Sequence, residues 1–112
     1  MYEKLKGEDS FWAPYFAIAE PSDLPYKWSD SEIEGLEDKA LQEEILAYRN
    51  EVGEEWKIFS EFATEHSQYE GLTRELFDDV YEMVVSRCFG WSLPGTMIIP
   101  FADCLNHHNS DT

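Results

Sequence analysis

The chain has 112 residues, 43% of them hydrophobic and 15% aromatic: enough for one ordinary domain or a piece of a larger one, and too apolar for a disordered segment. Its formal charge of −16, from 24 acidic against 8 basic side chains, repels phosphate backbones and anionic membranes and so argues against direct nucleic-acid binding. A basic protein partner is the electrostatically compatible one, although acidity also serves solubility alone.

No apolar run is long enough to cross a bilayer, and Met1-Tyr2-Glu3-Lys4-Leu5-Lys6 lacks the apolar core of a secretory signal. The sequence therefore reads as intracellular, in cytoplasm or nucleus with an organelle left open, and with no membrane partner. Cys88 and Cys104 are the only thiols and each has apolar neighbours, so buried free thiols are expected in place of a disulfide. His66, His107 and His108 add no recognisable zinc-ligand spacing, and no metal site is expected.

In chain order, residues 1–9 are short and charged and read as the end of a helix. Ser10 can cap a new turn, with Phe11, Trp12, Tyr15, Phe16 and Ile18 at helical spacing behind it. Packing is the expected use of this aromatic set. Pro14 falls in the first turns, where a missing donor is tolerated, and Glu20 to Pro25 is a loop because two prolines cannot continue the helix. Ser29 with Glu32 three residues later makes a capping box, and Trp28 just outside it can pack on Ile33. That helix is short and fades between Gly35 and Asp38.

A longer helix begins near Ala40. Its apolar residues Leu41, Ile45, Tyr48, Val52, Trp56, Phe59 and Ala63 share one face, while Glu43, Glu44, Glu51, Glu54, Glu55 and Glu61 take the other. It spans about 37 Å at 1.5 Å per residue, with Gly53 as a mild interruption. Glu65 to Gly71 is a connection. Thr73 then caps a helix carrying Leu76, Phe77, Val80, Tyr81, Val84, Val85 and Cys88, a wide apolar stripe expected to be buried on one broad side. Arg87 and Phe89 lie at its end, with Gly90 where a left-handed cap is common.

Trp91 to Gly95 is a turn, and Met97 to Ile99 is a short strand stopped by Pro100, which removes a ladder donor. Asp103, Asn106 and His107 are thereby presented at a strand end. Several bland uses are open to them: Asp103 and Asn106 can cap their own turn, and Arg87 can satisfy helix carbonyls or pair with Asp103.

Arg87-Cys88-Phe89, followed by Ile99-Pro100-Phe101-Ala102-Asp103-Cys104-Leu105-Asn106-His107, resembles the arginine-aromatic, proline-x-x-aspartate, asparagine-histidine series of SET-domain protein methyltransferases. The likeness is closest to the class of the Rubisco large-subunit lysine methyltransferases and the actin-histidine methyltransferases. Upstream, Ser10-Phe11-Trp12-Ala13-Pro14-Tyr15 and Trp28-Ser29-Asp30-Ser31-Glu32-Ile33 are similar to the opening of the helical insertion that splits the SET domain in that class. The resemblance implies an S-adenosylmethionine-dependent protein N-methyltransferase, acting on lysine before histidine of a protein substrate. It implies that Asn106 and His107 hold the cofactor, that Arg87 reaches the cofactor or the substrate channel, and that Asp103 lies on the substrate side.

On this reading residues 1–86 are the helical insertion and residues 87–112 the start of the second SET portion. The fold class expected is mainly α, as a fragment of an α+β SET domain, with one or two short strands near residues 97–99 that lack a partner. The last helix, Phe101 and Leu105 would be incompletely covered. The family's glycine-rich cofactor segment would precede residue 1 and its catalytic tyrosine would follow Thr112, since Tyr69 and Tyr81 lie in the insertion. The 112-residue chain alone is therefore expected to hold no catalytic residue and to transfer no methyl group. The alternative is a non-catalytic acidic helical module that binds a basic protein, and a purely structural helical domain stands third.

Overall fold

Short polar side chains decide where the helices of this chain begin. The computed structural model describes residues 1–19, 22–90 and 93–105, and all structural statements refer to these. Five α-helices precede one small sheet: α1 (Tyr2–Leu5), α2 (Ala13–Ile18), α3 (Asp30–Glu34), α4 (Lys39–Thr64), α5 (Arg74–Arg87), β1 (Cys88–Phe89) and β2 (Met97–Ile98). The protein is thus mainly α. The capping box at α3 is formed: the Ser29 hydroxyl accepts from the Glu32 N–H and the Glu32 carboxylate from the Ser29 N–H at 2.8 Å. Asp38 caps α4 by accepting from the N–H groups of Ala40 and Leu41 at 2.9 and 3.1 Å. Thr73 caps α5 by accepting from the Leu76 N–H at 3.1 Å. These bonds satisfy donors that a helix start leaves open.

Helix α4 runs 26 residues and passes Gly53 without a break. Its apolar face, with Val52 fully buried and Tyr48, Trp56 and Phe59 half-buried, packs with Phe77 of α5 and Tyr26 from the turn at Pro25–Lys27. A second, smaller core joins Tyr15 and Ala19 to Met83, with Phe16 and Ile98 against it. Helix α5 supplies Phe77 to the first core and Met83 to the second.

Two cations fasten the loop between α2 and α3. Arg49 donates through Nε to the Tyr26 carbonyl at 2.8 Å, also to the Trp28 carbonyl, and through a terminal nitrogen to Asp30 at 2.7 Å. Lys27 donates to Glu82 at 3.2 Å and lies 3.7 Å from Asp79. Burial lowers the Lys27 affinity for its proton, but the hydrogen bond to Glu82 and the charges of Glu82 and Asp79 outweigh it and hold the ammonium above its ordinary value. Glu82 itself is fully buried, and its second carboxylate oxygen has no partner among the described residues.

Several sequence expectations are corrected. The aromatic set after Ser10 packs only in part: α2 starts at Ala13, so Phe11 and Trp12 fall in the preceding turn and Phe11 is 85% exposed, while Ile18 also faces solvent. The stripe of α5 is rotated from the one expected. Glu82 and Met83 are buried, whereas Val84 and Val85 are exposed, because the helix must face both cores at once. Gly90 makes no left-handed cap, since Cys88 is already extended and the chain leaves α5 directly as β1. The strand near residue 97 has a partner: β2 pairs antiparallel with β1, Cys88 opposite Ile98 and Phe89 opposite Met97. Both cysteines are free thiols as expected, but Cys104 is exposed and Cys88 only half-buried.

Because Arg49 satisfies two carbonyls that the loop cannot satisfy itself, Arg49→Ala is expected to lower unfolding free energy by about 1–3 kcal/mol in urea titration, with Asp30→Ala costing less. Equal costs for the two would contradict this account of the loop.

Candidate functional site

The end of α5 and the turn after β2 come together through the sheet. Pairing of β1 with β2 sets Ile99 and Pro100 beside the C-terminus of α5, and a short 3-10 turn, Ala102–Cys104, follows. Phe101 enters that turn at φ 70° and ψ −40°, a region that side chains other than glycine adopt at a cost of about 1–3 kcal/mol. The Asp103 N–H then donates to the Ile99 carbonyl at 3.2 Å, which closes the turn.

This geometry buries the Asp103 side chain completely. Two groups meet it there. The Tyr15 hydroxyl, from α2 and 88 residues away in sequence, donates to Asp103, and Arg87 forms an ion pair with the same oxygen at 3.4 Å. The Cys104 thiol lies 3.7 Å from the other oxygen. Arg87 Nε is buried and has no partner among the described residues.

The charges of the site are fixed across neutral pH. Burial alone would raise the Asp103 carboxyl, but the hydrogen bonds from Tyr15 and Arg87 and the Arg87 charge outweigh it and hold it below the ordinary carboxylate value. Burial, the hydrogen bond to Asp103 and the Asp103 charge push the Tyr15 phenol up to about 12. Burial opposes the Arg87 charge, yet its bonds to Asp103 and Cys104 raise its proton affinity further. Asp103 is therefore an acceptor, Tyr15 and Arg87 are donors, and none of the three exchanges a proton near neutral pH. The cluster can position and neutralise charge; it holds no general base.

An apolar groove of about 250 Å³ adjoins it, with Tyr15 in its wall and Trp12, Phe16, Met83, Ile98 and Pro100 among its lining. Beyond it Phe101 and Leu105 are exposed, at 76% and 78%. Among the described residues no three histidine, cysteine, aspartate or glutamate side chains converge as a metal ion requires.

Of the residues singled out from the sequence, Arg87 and Asp103 are brought together, and the open alternative of an Arg87–Asp103 pair is the arrangement present. Asn106 and His107 lie outside the described residues, as does His108. Sequence reasoning missed Tyr15, which it read as packing, and Cys104. A tyrosine among phenylalanine and tryptophan is itself a signal, because a buried phenol needs a hydrogen-bond partner. No protein-family model matches the chain, and no curated protein or solved structure matches it either.

The depressed carboxyl of Asp103 ties stability to acid. A group whose folded pKa lies below its unfolded one contributes stability that is present above the unfolded value, 3.8, and is lost as pH falls through the folded one. Denaturant titrations over about pH 2 to 6 are expected to show this loss in the natural protein and a flatter acid limb in Asp103→Asn. An unchanged acid limb in the variant would contradict the role given to Asp103.

Proposed function

We propose that this chain is part of an S-adenosylmethionine-dependent protein N-methyltransferase of the SET class, combining the helical insertion (residues 1–86) with the start of the second SET portion. The observation that supports the reading most is the meeting of Arg87 and Asp103. Both belong to the series on which the resemblance rests, they lie 16 residues apart, and they converge on a strained turn at a strand end. Strain at such a place persists only where its surroundings fix it, which is common at functional sites.

When bound, the cofactor supplies the methyl group from its sulfonium. The residues present fit part of that molecule: Arg87 Nε, a buried donor with no partner among the described residues, suits a carboxylate such as the cofactor's. Asp103 holds the Arg87 guanidinium in place, and Tyr15 holds Asp103. Arg87 is then a cofactor-side or substrate-side donor, Asp103 a positioning group, and Asn106 and His107 the further cofactor contacts that the resemblance implies. The target nitrogen is that of lysine, with histidine second, on a protein substrate that the acidic surface favours as basic. The groove beside Tyr15 and the exposed Phe101 and Leu105 suit cover by the remainder of such a domain.

Those same exposed apolar groups also favour a second reading, a non-catalytic acidic module that docks on another protein. Transfer of labelled methyl from S-adenosylmethionine to protein separates the two. The longest polypeptide that the gene encodes is expected to transfer and the 112-residue chain alone to transfer nothing. Arg87→Met in the longer form is expected to lower the rate at least about tenfold. Transfer by the 112-residue chain contradicts the division of labour; no transfer by either form leaves the docking module.

A further inference from the structure

The C-terminal end of α4 holds a pocket that shares no residue with the Arg87–Asp103–Tyr15 cluster. It has a volume of about 490 Å³ and is lined by ten residues, among them Trp56, Ser60, Thr64, His66, Tyr69 and Glu70. We propose that it receives the cationic side chain of a basic protein segment, and this holds whether or not the chain is part of a methyltransferase.

Four features of the pocket favour a cation. Trp56 and Tyr69 offer electron-rich rings, and Trp56 already attracts one guanidinium, that of Arg74, 5.9 Å from its ring centroid. Ser60 and Thr64 belong to the last turns of a 26-residue helix, where the aligned peptide dipoles leave partial negative charge. Glu70 adds a full negative charge at the rim, within a stretch, residues 54–75, whose six glutamates face only Lys57 and Arg74. The rings are also held in place before any ligand arrives. Trp56 lies 5.3 Å from Phe77, and Tyr69 lies 5.3 Å from Phe59 and 5.9 Å from Phe62, so little ordering remains to oppose binding. An anion would meet Glu70 and the helix end.

The whole molecule reinforces the choice. At −16 the chain steers basic segments toward itself over long range, while the pocket supplies the short-range selection that charge alone lacks.

The test is a titration of the 112-residue chain, at low ionic strength, with a short peptide of arginine, lysine and glycine, followed by nuclear magnetic resonance. The expected result is movement of the Trp56 indole N–H and Tyr69 ring signals. Glu70→Gln should weaken binding about fivefold, while Glu43→Gln, at the other end of α4, should leave it nearly unchanged. Either of two results overturns the proposal: Trp56 and Tyr69 signals that stay still, or equal weakening by the two substitutions, which would mean diffuse attraction to the acidic surface. Glu70 is exposed, so its substitution leaves the fold intact and keeps the comparison interpretable.

Discussion

Helix α5 has to serve two cores, and the rest of the structure follows from that constraint. Phe77 near its start closes the aromatic core over α4, with Trp56 at 5.3 Å and Phe59 at 6.0 Å. Met83, six residues on and so turned to another face, closes the smaller core against α2. Between them Glu82 is carried inside, and the helix ends with Arg87 at the inner edge of the sheet. A helix held at both ends by packed aromatic and sulfur side chains has no freedom to rotate. The position of Arg87, and hence of Asp103 and Tyr15, is set by this packing.

The few basic side chains are used where the fold needs them. Lys6, Lys27, Arg49, Arg74 and Arg87, five of the eight, pair with carboxylates. Their value differs with burial. Lys6–Glu3 and Arg74–Asp78 are short-range helix pairs at the surface and contribute little. Lys27–Glu82 and Arg87–Asp103 each involve a fully buried carboxylate, so removing the cation would leave a charge without compensation. Two cations are thus spent on buried carboxylates in a chain whose acidic side chains outnumber its basic ones 24 to 8.

What could be read from the sequence was what depends on neighbours along the chain. Ser29 with Glu32, the Thr73 cap and the long stripe from Leu41 to Ala63 are local signals, and each appears as expected. What could not be read depends on contacts across the chain. Nothing near Glu82 announces that it is buried, because Lys27, 55 residues away, is what makes burial tolerable. Val84 and Val85 fit the periodic pattern of α5, yet the second core draws Met83 inward in their place. Tyr15 and Asp103 are 88 residues apart, and only the pairing of β1 with β2 brings the Asp103 turn to α2. The pairing of Arg87 with Asp103 was open from the sequence, whereas the tyrosine that completes the cluster was not seen.

On the function we propose, Arg87, Asp103, Asn106 and His107 form one side of an S-adenosylmethionine site. Calorimetry with that cofactor, on the 112-residue chain and on the longest polypeptide its gene encodes, tests it most directly. The account predicts binding by the longer form alone, abolished by Asn106→Ala. No heat of binding from either form would contradict it and leave an acidic helical protein that keeps the residues of the series without their chemistry.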